Sequence, residues 1–166
     1  AISTFPSKDI QIELLAPFLR AGHDEYLSTN YESLLATLAP RARLLAEDAT
    51  ATAGLRADAI TLFVRREPQL ARLALPNLID TVHPTEVQLA ALRALSRFSD
   101  EQTGSELVSR AKGTTPQVRG QLVELLASKD TWVSLLLKAV EERQFSAGEF
   151  SSLRRERLLA HDDDSI

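Results

Sequence analysis

Three stretches of this sequence carry one pattern at nearly constant spacing: LRADAITLF from residue 55, VQLAALRAL from residue 87 and VRGQLVELL from residue 118. The second copy begins 32 residues after the first, and the third 31 after the second. An aliphatic residue opens each stretch (Leu55, Val87, Val118), an apolar residue follows four positions later (Ala59, Ala91, Leu122), and an apolar pair closes it (Leu62/Phe63, Ala94/Leu95, Leu125/Leu126). Apolar residues at that spacing share one stripe of an α-helix. The residues leading in read TAGL, PTEV and TPQV. Thr85 with Gln88 three positions on has the form of a capping box, and Thr115 before Pro116 that of a cap followed by a first-turn proline, so both are predicted helix starts.

Between the copies lie segments that run back. Pro76 is predicted to start a short helix through Asn77, Leu78, Ile79 and Val82. Asp100 is predicted to cap one through Leu107, Val108 and Ala111, closed by Gly113. Asp130 precedes TWVSLLLKAVEE, in which Trp132, Leu135, Leu136, Ala139 and Val140 form an apolar face. Ser146 and Glu149 pair as a capping box ahead of a terminal helix over 147–160 that includes Phe150, Leu153, Arg157 and Leu158. Toward the N-terminus, Ser7 is expected to cap a segment with Ile10, Leu14, Leu15, Phe18 and Leu19, closed by Gly22. A second runs from Tyr31 through Leu34, Leu35 and Leu38, and a third holds Ala42, Leu44, Leu45 and Ala49. Pro17 and Pro40 are expected to kink or break these helices, because proline lacks the amide a helix interior uses.

Helix pairs recurring at a fixed offset indicate an α-solenoid, since one pair cannot bury its apolar face until the next stacks on it. The expected class is all-α: a HEAT-like stack of antiparallel helix pairs forming one helical-repeat domain over 1–166. The repeat-like core covers 42–143 and the irregular N-terminal helices 7–41. The period is short for HEAT and armadillo repeats, commonly about 40 or more, and the tetratricopeptide pattern near about 34 needs Gly and Tyr where this chain has neither. An irregular helical bundle is the alternative architecture.

Composition agrees with that class. Of 166 residues 44% are hydrophobic, enough for one substantial core, and with six Gly and seven Pro helix is favoured over strand. The net charge of −4 and the scattering of Arg among Glu and Asp leave no basic block, so nucleic acid is not an expected partner. No apolar run approaches the roughly 20 residues of a membrane span, and AISTFPSKD does not read as a secretory leader, so direct membrane insertion is not expected. The absence of cysteine excludes disulfides, thiolate zinc sites, covalent haem attachment and a Cys nucleophile within these residues.

The strongest candidate for chemistry is the terminal HDDDSI. His161 with Asp162, Asp163 and Asp164 offers ligands for a hard cation, but calcium loops alternate their ligands around a central Gly and end on a distal Glu, and none follows here. The alternative is a polar turn whose carboxylates favour the start of a further helix, with Ile166 as its expected first residue. His23, beside Asp24 and Glu25, and His83, before Pro84, lack a second His at helical spacing. No G-x-S-x-G surrounds a serine, and Ser3, Ser28 and Ser165 read as loop or cap residues. The six glycines are isolated, and Gly22, Gly54, Gly104 and Gly113 fit helix boundaries or turns rather than a phosphate loop. Arg154, Arg155 and Arg157, divided by Glu156, read as a salt-bridged helix face before a docking patch. Trp132 could anchor an interface but falls on the apolar face with Leu135 and Leu136, so it is expected in the core. No catalytic, cofactor-binding or metal-binding set is predicted.

Residues 42 to 166 carry one resemblance. ARLLAEDATATAGLRADAITLF, LPNLIDTVHPTEVQLAALRALSRF and the run from TPQVRGQLVELL to LLAHDDDSI resemble the helical-repeat region of large planctomycete-type membrane-bound dehydrogenases with c-type haem domains. The most characteristic phrases are PTEVQLAALRAL and LLAHDDDSI. In such proteins this region lies between a propeller-like dehydrogenase domain and a C-terminal haem domain. The resemblance implies a spacer or docking module of an exported or cell-envelope redox protein, whose partners are neighbouring domains of the same chain or other proteins. Haem c would belong to the parent protein, because Cys-x-x-Cys-His has no matching position here. A stand-alone interaction solenoid is the alternative, and a small metal-dependent enzyme built on His161 is the least favoured reading.

Overall fold

The structure, a computed structural model, describes residues 7–150, and among them no strand occurs. Eight α-helices are described: α1 (Lys8–Arg20), α2 (Asp24–Glu47), α3 (Ala53–Arg66), α4 (Pro68–Ala74), α5 (Thr85–Leu95), α6 (Glu101–Arg110), α7 (Pro116–Leu126) and α8 (Asp130–Glu141). Short 3-10 turns cover Leu75–Ile79, Ala111–Gly113 and Ala147–Glu149. None of the helices is long and apolar enough to cross a membrane. The terminal helix predicted over 147–160 lies outside the described residues beyond Phe150.

The three repeated stretches are α3, α5 and α7. Their starts follow the caps: Thr52 Oγ1 accepts from the Leu55 amide at 3.3 Å, and Thr115 Oγ1 from the Val118 amide at 3.5 Å with Pro116 in the first turn. The copy at α5 differs. Pro84, not Thr85, is its cap residue, and Gln88 turns its amide back to donate to the His83 carbonyl at 2.6 Å, so the predicted box does not form. Ser7 likewise makes no side-chain cap bond to α1. Before α6, Asp100 accepts from the Thr103 amide at 3.0 Å as expected.

The register of the repeat is the register of the core. Ala59, Ala91 and Leu122 are each 0% exposed, as are Leu95 and Leu126. α3 packs against α1, α2 and α5, and α5 in turn against α7; behind them α6 contacts the Leu75–Ile79 turn and α8. α3 has two buried sides. Ala59 and Leu62 close an N-terminal cluster with Ile12, Leu15, Leu27, Leu35 and Leu45, while Ile60, Phe63 and Val64 open a second cluster that continues through Trp132 to Phe150.

Four expectations are corrected. α2 bends at a kink at Tyr31 (φ −134°, ψ 18°), where the second predicted segment begins, but the second and third predicted segments run together as one helix with Pro40 inside it. Buried Leu38, Ala39, Ala42 and Leu45 hold the segment on both sides of Pro40, outweighing the lost amide. Pro17 is similarly carried within α1. The helix expected from Pro76 is a 3-10 turn that ends at Ile79, preceded by the unpredicted α4, and Val82 is 82% exposed. In α1 the buried stripe is Ile12, Leu15, Ala16 and Leu19, which packs against α2 and α3, leaving Ile10, Leu14 and Phe18 outward.

Gly104 is the fourth. It lies one turn inside α6 rather than at its edge, and a Cβ there would come 2.5 Å from Trp132 Cδ1 and 2.9 Å from Leu135 Cδ1. The glycine is what lets α6 and α8 approach. Gly104→Ala is therefore expected to destabilise by about 1 to 3 kcal/mol through overpacking, despite alanine's better helix propensity. Urea unfolding checks it, and an unchanged or raised midpoint would mean that the indole yields freely.

Arg119 fastens α7 to the segment after α8. Its guanidinium donates to the Glu149 carboxylate, to the Ala111 carbonyl at 2.8 Å and to the Gln144 carbonyl, and lies 4.6 Å from the centre of the Phe145 ring. Arg119→Ala is expected to cost about 1 to 3 kcal/mol, since two part-buried carbonyls and the Glu149 carboxylate lose a charged donor. A change within about 0.5 kcal/mol, typical of open surface, would contradict this.

Candidate functional site

Most residues singled out for chemistry do not converge. His161, Asp162 to Asp164, Ser165, Arg154, Arg155, Arg157 and Ser3 lie outside the described residues. His23 is exposed ahead of α2, its ring 6.3 Å from that of Phe18. Among the described residues no group of three or more His, Cys, Asp or Glu side chains is placed to hold a metal. Ser28 sits exposed on α2. Trp132 is 0% exposed, its indole N–H donating to the Asp100 carbonyl at 2.9 Å, and belongs to the core as expected.

His83 occupies a joint in the array. Its Nδ1 lies 3.2 Å from a guanidinium nitrogen of Arg56, which is only 2% exposed and also donates to the Ala46 carbonyl at 3.1 Å. A guanidinium can only donate, so Nδ1 is the acceptor and the neutral ring carries its proton on Nε2. The contact ties the end of α2, the first turns of α3 and the loop before α5. Burial, with the Arg56 charge beside it, holds the His83 pKa below the ordinary imidazole value, against the opposing pull of Asp80 and the Asn77 backbone. The unfolded ring therefore takes up a proton that the folded ring resists. This contribution is complete above about pH 6.5 and is lost as pH falls below it toward the depressed folded value. His83→Gln, which keeps an acceptor for Arg56, is expected to flatten the stability profile between about pH 7.5 and 5.5. Urea unfolding at both ends reads it, and an equal slope in both proteins would remove His83 as the cause.

Adjoining clefts that share lining residues form a groove across α3, α5 and α7. Its centre is a cleft of about 330 Å³ between α3 and α5, floored by Ala57, Val64, Ala90 and Ala94 and walled by Arg20, Arg65, Arg93 and Arg97. No Asp or Glu lines it. It adjoins a cleft of about 420 Å³ between α5 and α7, sharing Arg93 and Ser96, where Leu89, Leu92 and Leu125 meet Gln117, Gln121 and Glu124. On the other side a smaller cleft shares Arg65 and Arg97 and reaches Leu35 and Ser28 of α2.

The repeat itself builds this face. Arg65 and Arg97 are 32 residues apart and occupy equivalent positions, as do Thr61, Arg93 and Glu124 along α3, α5 and α7. These arginines are scattered in the sequence; the 32-residue offset links Arg65 with Arg97 alone. Arg20 is paired with Asp58 at 2.5 Å, and Arg65 donates to the Leu19 carbonyl. Burial, and then the nearby Arg97 charge, press the Arg65 pKa downward. Arg93 and Arg97 are exposed, and neither side chain is engaged by a carboxylate among the described residues. The arrangement can hold a ligand by charge, amide hydrogen bonds and aliphatic contact.

Comparison of the chain with protein-family models, with curated proteins and with solved structures finds no match.

Proposed function

We propose that this chain is a non-catalytic, HEAT-like repeat module that holds a partner protein or a neighbouring domain along the α3–α5–α7 face. The observation that carries the reading is the continuous groove, built from equivalent positions of three consecutive repeat helices. A surface made by repetition extends in one direction, which suits an elongated partner better than a small substrate. In contrast, a reacting molecule needs polar groups converging on one point. Turnover of sugars or alcohols with an electron acceptor by residues 1–166, abolished by a point substitution within them, would overturn the non-catalytic assignment.

The context proposed for the module is a large exported dehydrogenase or cytochrome-type redox protein, supported by the resemblance of residues 42 to 166. The native protein carrying this segment is then expected to be much larger than 18.3 kDa and to show a covalent c-type haem band. A colourless native protein of about this mass would remove the redox context and leave a stand-alone interaction module.

A further inference from the structure

We infer that the centre of the groove takes an extended, carboxylate-rich segment of the partner, with an aliphatic side chain seated toward α7. This rests on the interaction-module reading and specifies its ligand. The chain as a whole is acidic at −4, yet four guanidiniums wall the central cleft; Asp58 pairs with Arg20 and Arg65 is held by the Leu19 carbonyl, while Arg93 and Arg97 have no carboxylate partner among the described residues. Arg93 and Arg97 stand one helical turn apart and face solvent, and Arg97 also lies close enough to Arg65 for their charges to repel. Like charges gathered around a cleft favour an anion between them, and guanidiniums suit the planar, two-oxygen geometry of a carboxylate. The small alanines of the floor leave room for a peptide backbone.

The adjoining cleft determines what flanks the acidic residues. Leu89, Leu92 and Leu125 offer aliphatic contact, while the amides of Gln117 and Gln121 can pair with peptide N–H and C=O groups. A nucleic acid strand fits less well. No aromatic side chain lines any of the three clefts to stack a base, and the net negative charge beyond the groove repels a long polyanion.

The test is fluorescence anisotropy of the full 166-residue chain with a fluorescein-labelled dodecapeptide of Glu and Asp containing two Leu residues, at low salt. Binding is expected to weaken at least about tenfold in the double variant Arg93→Gln/Arg97→Gln, and to fall with rising salt because exposed charges are screened. Lys112→Gln/Lys138→Gln removes the same charge outside the groove and is expected to change affinity less than about twofold. Circular dichroism confirms that each variant is folded. Equal losses in both double variants, or no binding by the folded wild-type chain, would overturn the inference. So would tighter binding of a single-stranded oligonucleotide of equal charge, or equal binding of the peptide with every Glu and Asp replaced by Gln and Asn. The last result would leave the interaction reading in place, since the groove would still bind a peptide. Failure of that reading is detected separately, by cross-linking from Gln121 in the intact protein.

Discussion

Trp132→Ala is expected to destabilise the fold by about 3 to 5 kcal/mol, the range for truncating a fully buried large aromatic residue. Trp132 is 0% exposed and sits where α8 crosses α6, its ring edge against Gly104 and its N–H bonded to the Asp100 carbonyl. Asp100 also caps α6, so one residue is held from both sides. Lys129 adds a cation 5.0 Å from the ring centre. Trp132→Phe keeps most of the ring and loses the indole donor, and is expected to cost only about 1 to 2 kcal/mol. Urea unfolding separates the two, and a small effect for Trp132→Ala would mean that α6 and α8 do not pack through this residue.

Leu95→Ala and Leu122→Ala are each expected to cost about 2 to 5 kcal/mol. Both side chains are 0% exposed within the larger core cluster, one at the end of α5 and the other in the middle of α7. Leu122 faces inward at the position taken by Ala59 in α3 and Ala91 in α5. Glu101→Ala, at an exposed position opening α6, is expected to stay within about 0.5 kcal/mol. Midpoints from urea unfolding at constant m-value decide the matter. Equal, small changes at all three positions would sink the register.

The helices with the strongest periodic signal were the ones legible in the sequence. α3, α5 and α7 were given by the apolar stripe, and the starts at Asp100 and Thr115 by cap chemistry that needs only a few neighbouring residues. What failed to show was decided by contacts distant in sequence. α4 was missed because Leu70 and Leu73 are 47% and 61% exposed, so its apolar residues do not mark a buried face. Pro40 reads locally as a break, and only the burial of its flanking residues against α1 and α3 carries the helix past it. Gly104 reads as a boundary until Trp132 is brought beside it. Buried Arg56 gave no local sign, because its partners Ala46 and His83 lie 10 and 27 residues away. The groove was half legible: its aliphatic wall belongs to the repeated stretches, whereas Arg20, Arg65, Arg93 and Arg97 become one cluster only when α1, α3 and the end of α5 come together.

The most direct test of the central claim is site-specific photo-cross-linking in the intact native protein. A benzophenone side chain is placed in the groove at Gln121 or outside it at Glu101, and the joined peptides are sequenced. The groove position is predicted to cross-link to one defined segment of a neighbouring domain or partner, and the Glu101 position to give none. Cross-linking from Glu101 with none from Gln121, or equal yields from both, would contradict the assignment of the α3–α5–α7 face as the binding surface.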